Sequence, residues 1–171
     1  MFWRACSRPS NSPPLFPAGL SKPIMRGMAS NDHGLRRFID AQAGVFETAL
    51  AELNAGAKCS HWMWFIFPQL AGLGRSPTAE FYAISSLAEA RGYLADVILG
   101  PRLRQSVEAV LPWAARRSAE QIFGSVDAMK FRSSLTLFDR AAPADLFAAA
   151  LAAFFAGEPD QRTLALMEEA R

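Results

Sequence analysis

Lysine is scarce between residues 31 and 171, where twelve arginines stand against only Lys58 and Lys130. An ammonium is a compact point charge whose pKa shifts readily, whereas guanidinium is a fixed planar fork, so a retained lysine marks a place where that difference can matter. Each lysine lies three residues before another polar group, His61 and Ser133 respectively. Imidazole titrates near neutrality, which makes His61 the candidate for proton transfer. A lone histidine beside aromatic residues is more commonly a hydrogen-bonded core residue. Ser133, Ser134 and Thr136 follow Lys130 on one predicted helix, so an ammonium and hydroxyls share a face opposite Phe131, Leu135 and Phe138. Hydroxyls inside a helix cost propensity and compete for its carbonyls. Alanine, which this chain uses freely, would serve packing alone better.

Trp62 and Trp64 flank Met63 in the run His61–Gln69. On a helix the two indoles cannot point the same way, so one can join the core while Trp64 lines a wall for a flat ligand. Gln69, beyond Pro68, places a polar group at the end of that wall. The stretch Gly72–Pro77 combines backbone N–H groups, Arg75 and a helix start at Ser76, a combination that attracts anions. It carries neither a Walker lysine nor a dinucleotide fingerprint. These segments predict a small-ligand pocket where His61–Gln69 meets Lys130–Thr136, with the Arg75 loop at its rim. Lys58, Arg75 and Lys130 would hold a phosphate or carboxylate. The alternative is a protein-interaction module that exposes the aromatic and methionine residues of 62–67 as an anchor. Two histidines and two cysteines give no zinc-type spacing, so no metal or other cofactor is expected.

The elements that must position these groups read as helices throughout. Apolar residues at 35, 38, 39, 45, 46, 49, 50 and 53 mark one helix face, capped by Asn31 or Asp32 and ended at Gly56. Gln42 falls on that stripe; a buried amide there needs partners, and it joins the candidate ligand-binding residues. Ser60 can cap a short helix that stops before Pro68. Ser76-Pro77 opens Thr78–Ile84, and Ser86 with Glu89 opens Leu87–Ala95. Pro101 opens a helix to about Trp113, and Ser118 with Gln121 caps one ending at Gly124. Ser125 opens Val126–Ala141, Asp145 begins a helix to Gly157, and Asp160 caps the last. With no strand-like alternation or hairpin signal, the expected fold is all-α: a single-domain irregular bundle of about seven to nine helices without significant sheet.

Residues 1–30 read differently. They hold five of the eleven prolines, four of the 18 bases and none of the 16 acids. This predicts a disordered leader, either a transit-like segment or the product of a start placed upstream of Met25 or Met28. Residues 31–171 then form one domain with 16 acids against 14 bases, which argues against nucleic-acid binding. No apolar run approaches the roughly 20 residues of a membrane span. Only Cys59 lies in the domain, which fits a reducing, cytoplasmic setting.

The chain resembles the bacterial and fungal proteins grouped as domain-of-unknown-function family 1810. The resemblance rests on Phe38-Ile39-Asp40-Ala41-Gln42, the run His61–Gln69, and Gly72-Leu73-Gly74-Arg75-Ser76. It continues through Ile122-Phe123-Gly124 and Lys130–Phe138, and covers essentially all of 35–167. Leu135 stands where methionine is usual. The resemblance implies an all-helical fold and no known activity. Some members carry a calpastatin label; calpastatin is a disordered inhibitor, whereas this composition builds a core.

Overall fold

The computed structural model describes residues 32–143 and 145–169. The expected leader at 1–30 lies outside them. The described residues form ten α-helices and one 3₁₀ turn, with no strand. In chain order these are α1 (Asp32–Gln42), α2 (Phe46–Asn54), α3 (Met63–Ile66), α4 (Pro77–Phe81), α5 (Leu87–Ala95) and α6 (Leu99–Val110). The 3₁₀ turn Leu111–Trp113 leads to α7 (Ala119–Phe123), α8 (Ser125–Ala141), α9 (Leu146–Phe155) and α10 (Gln161–Glu169). The nearest approach to a sheet is one isolated parallel bridge, Leu70 with Ile84.

The expected single helix over 35–53 is two. Gly44 takes φ +73°, a left-handed turn that an α-helix cannot continue, and α2 restarts at Phe46. The apolar stripe survives the break because Leu35, Phe38, Phe46, Ala49 and Leu53 all reach the core. Two other starts also differ. Ser60 does not cap α3, because its hydroxyl donates to Glu52 at 2.6 Å and the position before the helix is Trp62. α6 begins at Leu99, two residues ahead of Pro101, because Asp96 Oδ1 accepts from the N–H groups of Ile98 and Leu99 at 2.8 and 2.9 Å.

Ser125 is the first residue of α8 behind Gly124 and makes no side-chain cap, whereas the caps at Ser76, Ser86, Ser118 and Asp160 follow the sequence. Ser76 accepts from Ala79, Ser86 from Glu89 and Asp160 from Thr163. Ser118 and Gln121 form a reciprocal capping box. Such caps satisfy first-turn donors that have no partner within the helix.

α8 is the axis of the domain and packs on α5, α7, α9 and α10. Residues 133–138 are buried all round, as a central helix requires. That explains part of its hydroxyl content: Ser133 and Thr136 bond back to the Lys130 and Arg132 carbonyls at 3.1 and 2.9 Å. Around α8 lies an aromatic cluster in which Phe67, Phe123 and Phe131 meet with centroids 4.8–6.1 Å apart. No helix among the described residues is long and apolar enough to cross a membrane. Cys59 is not a free thiol, which withdraws the inference from an unpaired cysteine to a reducing compartment.

Candidate functional site

Trp62 and Trp64 part company, Trp62 standing just before α3 and Trp64 within it. Trp62 is fully buried against Phe67 and Phe123, and Met63, Phe65, Ile66 and Phe67 are buried with it. This corrects the expectation of an exposed anchor over 62–67, because an anchor must be reachable by its partner. The four-residue α3 turns Trp64 the other way, onto the wall of a cleft of about 420 Å³. That volume lies within the range of small-molecule sites.

The cleft is built from three separated segments: Trp64 and the loop to Ala79, the first turns of α8, and the entry to α10. Its charged lining is Arg75, Lys130 and Arg162 against Asp160 alone. Arg75 is exposed and makes no ion pair among the described residues. Arg162 reaches the Gly72 carbonyl at 3.4 Å, so α10 holds the loop in place. Gly74 lets that loop lie on α4, since a Cβ there would collide with the Ala79 side chain. Asp160 is committed to Thr163, whose N–H and hydroxyl donate to it at 2.8 and 2.5 Å. Its own N–H donates to the Thr136 hydroxyl at 2.8 Å, so Thr136 steadies the site from behind and is otherwise buried.

The two lysines share one carboxylate. Lys130 Nζ lies 2.6 Å from Asp127 Oδ1, and Lys58 Nζ lies 2.8 Å from Oδ2. Each ammonium also sits over an indole, Lys130 over Trp64 at 4.6 Å and Lys58 over Trp62 at 5.1 Å. A point charge fits between a carboxylate and a ring face, which gives a physical reason for lysine here. Burial pushes the Asp127 carboxyl up, but hydrogen bonds and charge from Lys130 and Lys58 outweigh it and hold the pKa below the usual value. One carboxylate cannot neutralise two ammoniums, so the triad keeps a net positive charge beside the cleft. Asp127 escaped the sequence reading, although its i,i+3 spacing to Lys130 at a helix start was a usable signal. Arg162 gave none.

At the base of the cleft Gln69 Nε2 donates to Ser133 Oγ at 2.5 Å. Gln69 is fixed from its own backbone as well, because its carbonyl accepts from Ile84 at 2.8 Å. Trp64, Gln69, Arg75, Ser76, Lys130 and Ser133 therefore line one cleft, with Lys58 bound to it through Asp127. Three other candidates lie elsewhere. His61 is exposed and off this cleft. Ser134 is buried in the core, and its hydroxyl has no hydrogen-bond partner among the described residues. Gln42 is buried on the far side of α3, donating to the Phe65 carbonyl at 2.8 Å and the Tyr93 hydroxyl at 3.1 Å. Its oxygen accepts from Arg102 at 3.3 Å, so this amide closes a core network.

A second, half-buried network went unread in the sequence. Glu52 accepts from the Cys59 and Ser60 N–H groups, the Ser60 hydroxyl and the Trp62 indole at 2.6–3.0 Å. Burial raises the Glu52 pKa, yet those four bonds outweigh it and leave a net lowering. This carboxylate shapes the approach to α3 and so aims Trp64. A larger cleft of about 690 Å³ lies beyond the loop, where Arg91 and Arg140 face Glu168 and Glu169. Its charge is balanced, and none of the candidate residues lines it.

The family described as "Protein of unknown function (DUF1810)" matches residues 32–167. The crystal structure of the conserved hypothetical protein Rv1873 from Mycobacterium tuberculosis is similar, with a TM-score of 0.77 and 49% sequence identity. The match covers 81% of this chain and 99% of that one. No curated protein matches the chain.

Proposed function

The chain belongs to the DUF1810 family of proteins of unknown function, and from the chemistry of its cleft we propose that it binds a small organic anion with a flat moiety. The observation that carries this reading is the convergence of Arg75, Lys130 and Arg162 on a cleft walled by Trp64 and faced by a single carboxylate. Phosphate or carboxylate would sit among the three cations, and the apolar part would lie along Trp64, Leu73 and Met129. The reading is of binding. His61, the residue suited to proton transfer, stands apart from the cleft, and the lining holds no activated nucleophile of the serine–histidine or cysteine–histidine kind.

A thermal-shift screen of organic phosphates and carboxylates is the direct test. A ligand at a hundred times its dissociation constant stabilises by about 2.7 kcal/mol, which raises the midpoint by several degrees for a domain of this size. The rise should vanish in Lys130→Ala at unchanged helix content. A stabilising ligand whose effect survives both Lys130→Ala and Arg75→Ala would place binding elsewhere.

A further inference from the structure

Gln69 is the one uncharged amide in the cleft lining, and its orientation is set by hydrogen-bond accounting. A serine hydroxyl has a single proton, and that of Ser133 is donated to the Lys130 carbonyl at 3.1 Å. Ser133 Oγ can therefore only accept from its second neighbour, Gln69 Nε2 at 2.5 Å. The amide is thereby held with one Nε2 proton spent. Its second Nε2 proton and its Oε1 have no protein partner among the described residues. The Oε1 atom is not sealed from solvent either, since it is absent from the buried groups left unpaired, Arg37 Nε and Ser134 Oγ.

A side-chain amide fixed in this way offers an acceptor and a donor side by side. Its complement is an N–H beside a C=O, the edge of an imide or lactam. Resting on the anion-binding reading above, we propose that Gln69 is the specificity-determining residue of the cleft. The ligand is then a planar anion with such an edge: ring along Trp64, edge on Gln69, and phosphate or carboxylate among Lys130, Arg75 and Arg162. Ser133 is the positioning residue that keeps the Gln69 amide from turning over. Uridine 5′-monophosphate is the smallest convenient probe that combines the three features, and its imide presents the same C=O, N–H, C=O edge whichever way up it lies.

Calorimetric titration of the full chain tests this with uridine 5′-monophosphate and its 3-methyl derivative, which replaces the imide proton. The parent should bind at least about tenfold more tightly, the usual consequence of leaving a built acceptor unpaired. In Gln69→Leu that ratio should fall towards one. In Ser133→Ala it should shrink while binding of the parent persists, a change that loss of folding would not produce. Equal binding of the two nucleotides by the native protein overturns the Gln69 assignment and leaves the anion reading standing. The same holds if the uridine nucleotide fails to bind while another anion from the thermal-shift screen binds and depends on Lys130. Binding elsewhere, with every stabilising anion indifferent to Lys130 and Arg75, removes both readings together.

Discussion

Asp127→Asn separates stability from binding at the candidate site. The carboxylate bridges two ammoniums at 2.6 and 2.8 Å, and the three side chains keep only 10–20% of their exposure. Removing one partner of a buried pair costs about 3–5 kcal/mol. Residual solvent contact screens these charges, so we scale the cost to about 2–3 kcal/mol. For a domain of this size that is a fall in Tm of roughly 5–10 °C. The pH dependence gives an independent signature. Because folding lowers the Asp127 pKa, its contribution is fully present above the ordinary carboxylate range, near pH 4, and is lost as pH falls through the folded value. The Tm difference between native protein and variant should therefore be constant from about pH 5 to 7 and shrink below pH 4. Anion affinity should move the other way, since Lys58 and Lys130 lose their counter-charge. Differential scanning calorimetry across pH 3–7, paired with titration of whichever anion the screen finds, measures both. A Tm unchanged at pH 7, or a difference that persists undiminished at pH 3, would refute the triad as the source of stability.

Three further outcomes follow from named contacts. His61→Ala should leave stability within about 0.5 kcal/mol and ligand binding unchanged, because the side chain is exposed and off the cleft; a large loss in either assay contradicts its placement. Ser134→Ala should be neutral or slightly stabilising in chemical denaturation, since it removes a buried hydroxyl without a partner. Glu52→Ala should cost about 1–2 kcal/mol, because it removes the acceptor shared by the Cys59 and Ser60 N–H groups and the Trp62 indole on a carboxylate that keeps some solvent contact. Its effect should again fade at acid pH, and red-shifted tryptophan emission in the folded variant would report the loosened approach to α3.

The fold and the cleft were legible to different depths. Gly44 shows the limit on the helix side: the apolar stripe from Leu35 to Leu53 is continuous in spacing, yet the backbone breaks beneath it. Periodicity records which residues face the core and is indifferent to whether one helix or two carries them. On the site side, Trp64, Gln69, Arg75 and Lys130 were recoverable because each is a polar or aromatic residue poorly explained by its local element. Asp127 was overlooked because an acid in the first turn of α8 already has a local explanation in the helix dipole.

What the sequence determined by itself is local. The helix starts at Ser76, Ser118, Asp145 and Asp160 depend on hydrogen bonds within four residues. The tertiary structure decided what depends on partners far along the chain. It brought Lys58 onto Asp127, joined Gln69 to Ser133 across 64 residues, and buried Gln42 beneath Phe65 and Tyr93. It also left His61 outside. Those pairings follow from how α3, α8 and α10 pack, and close packing of side chains fixes that angle through the sum of many contacts that no spacing rule encodes.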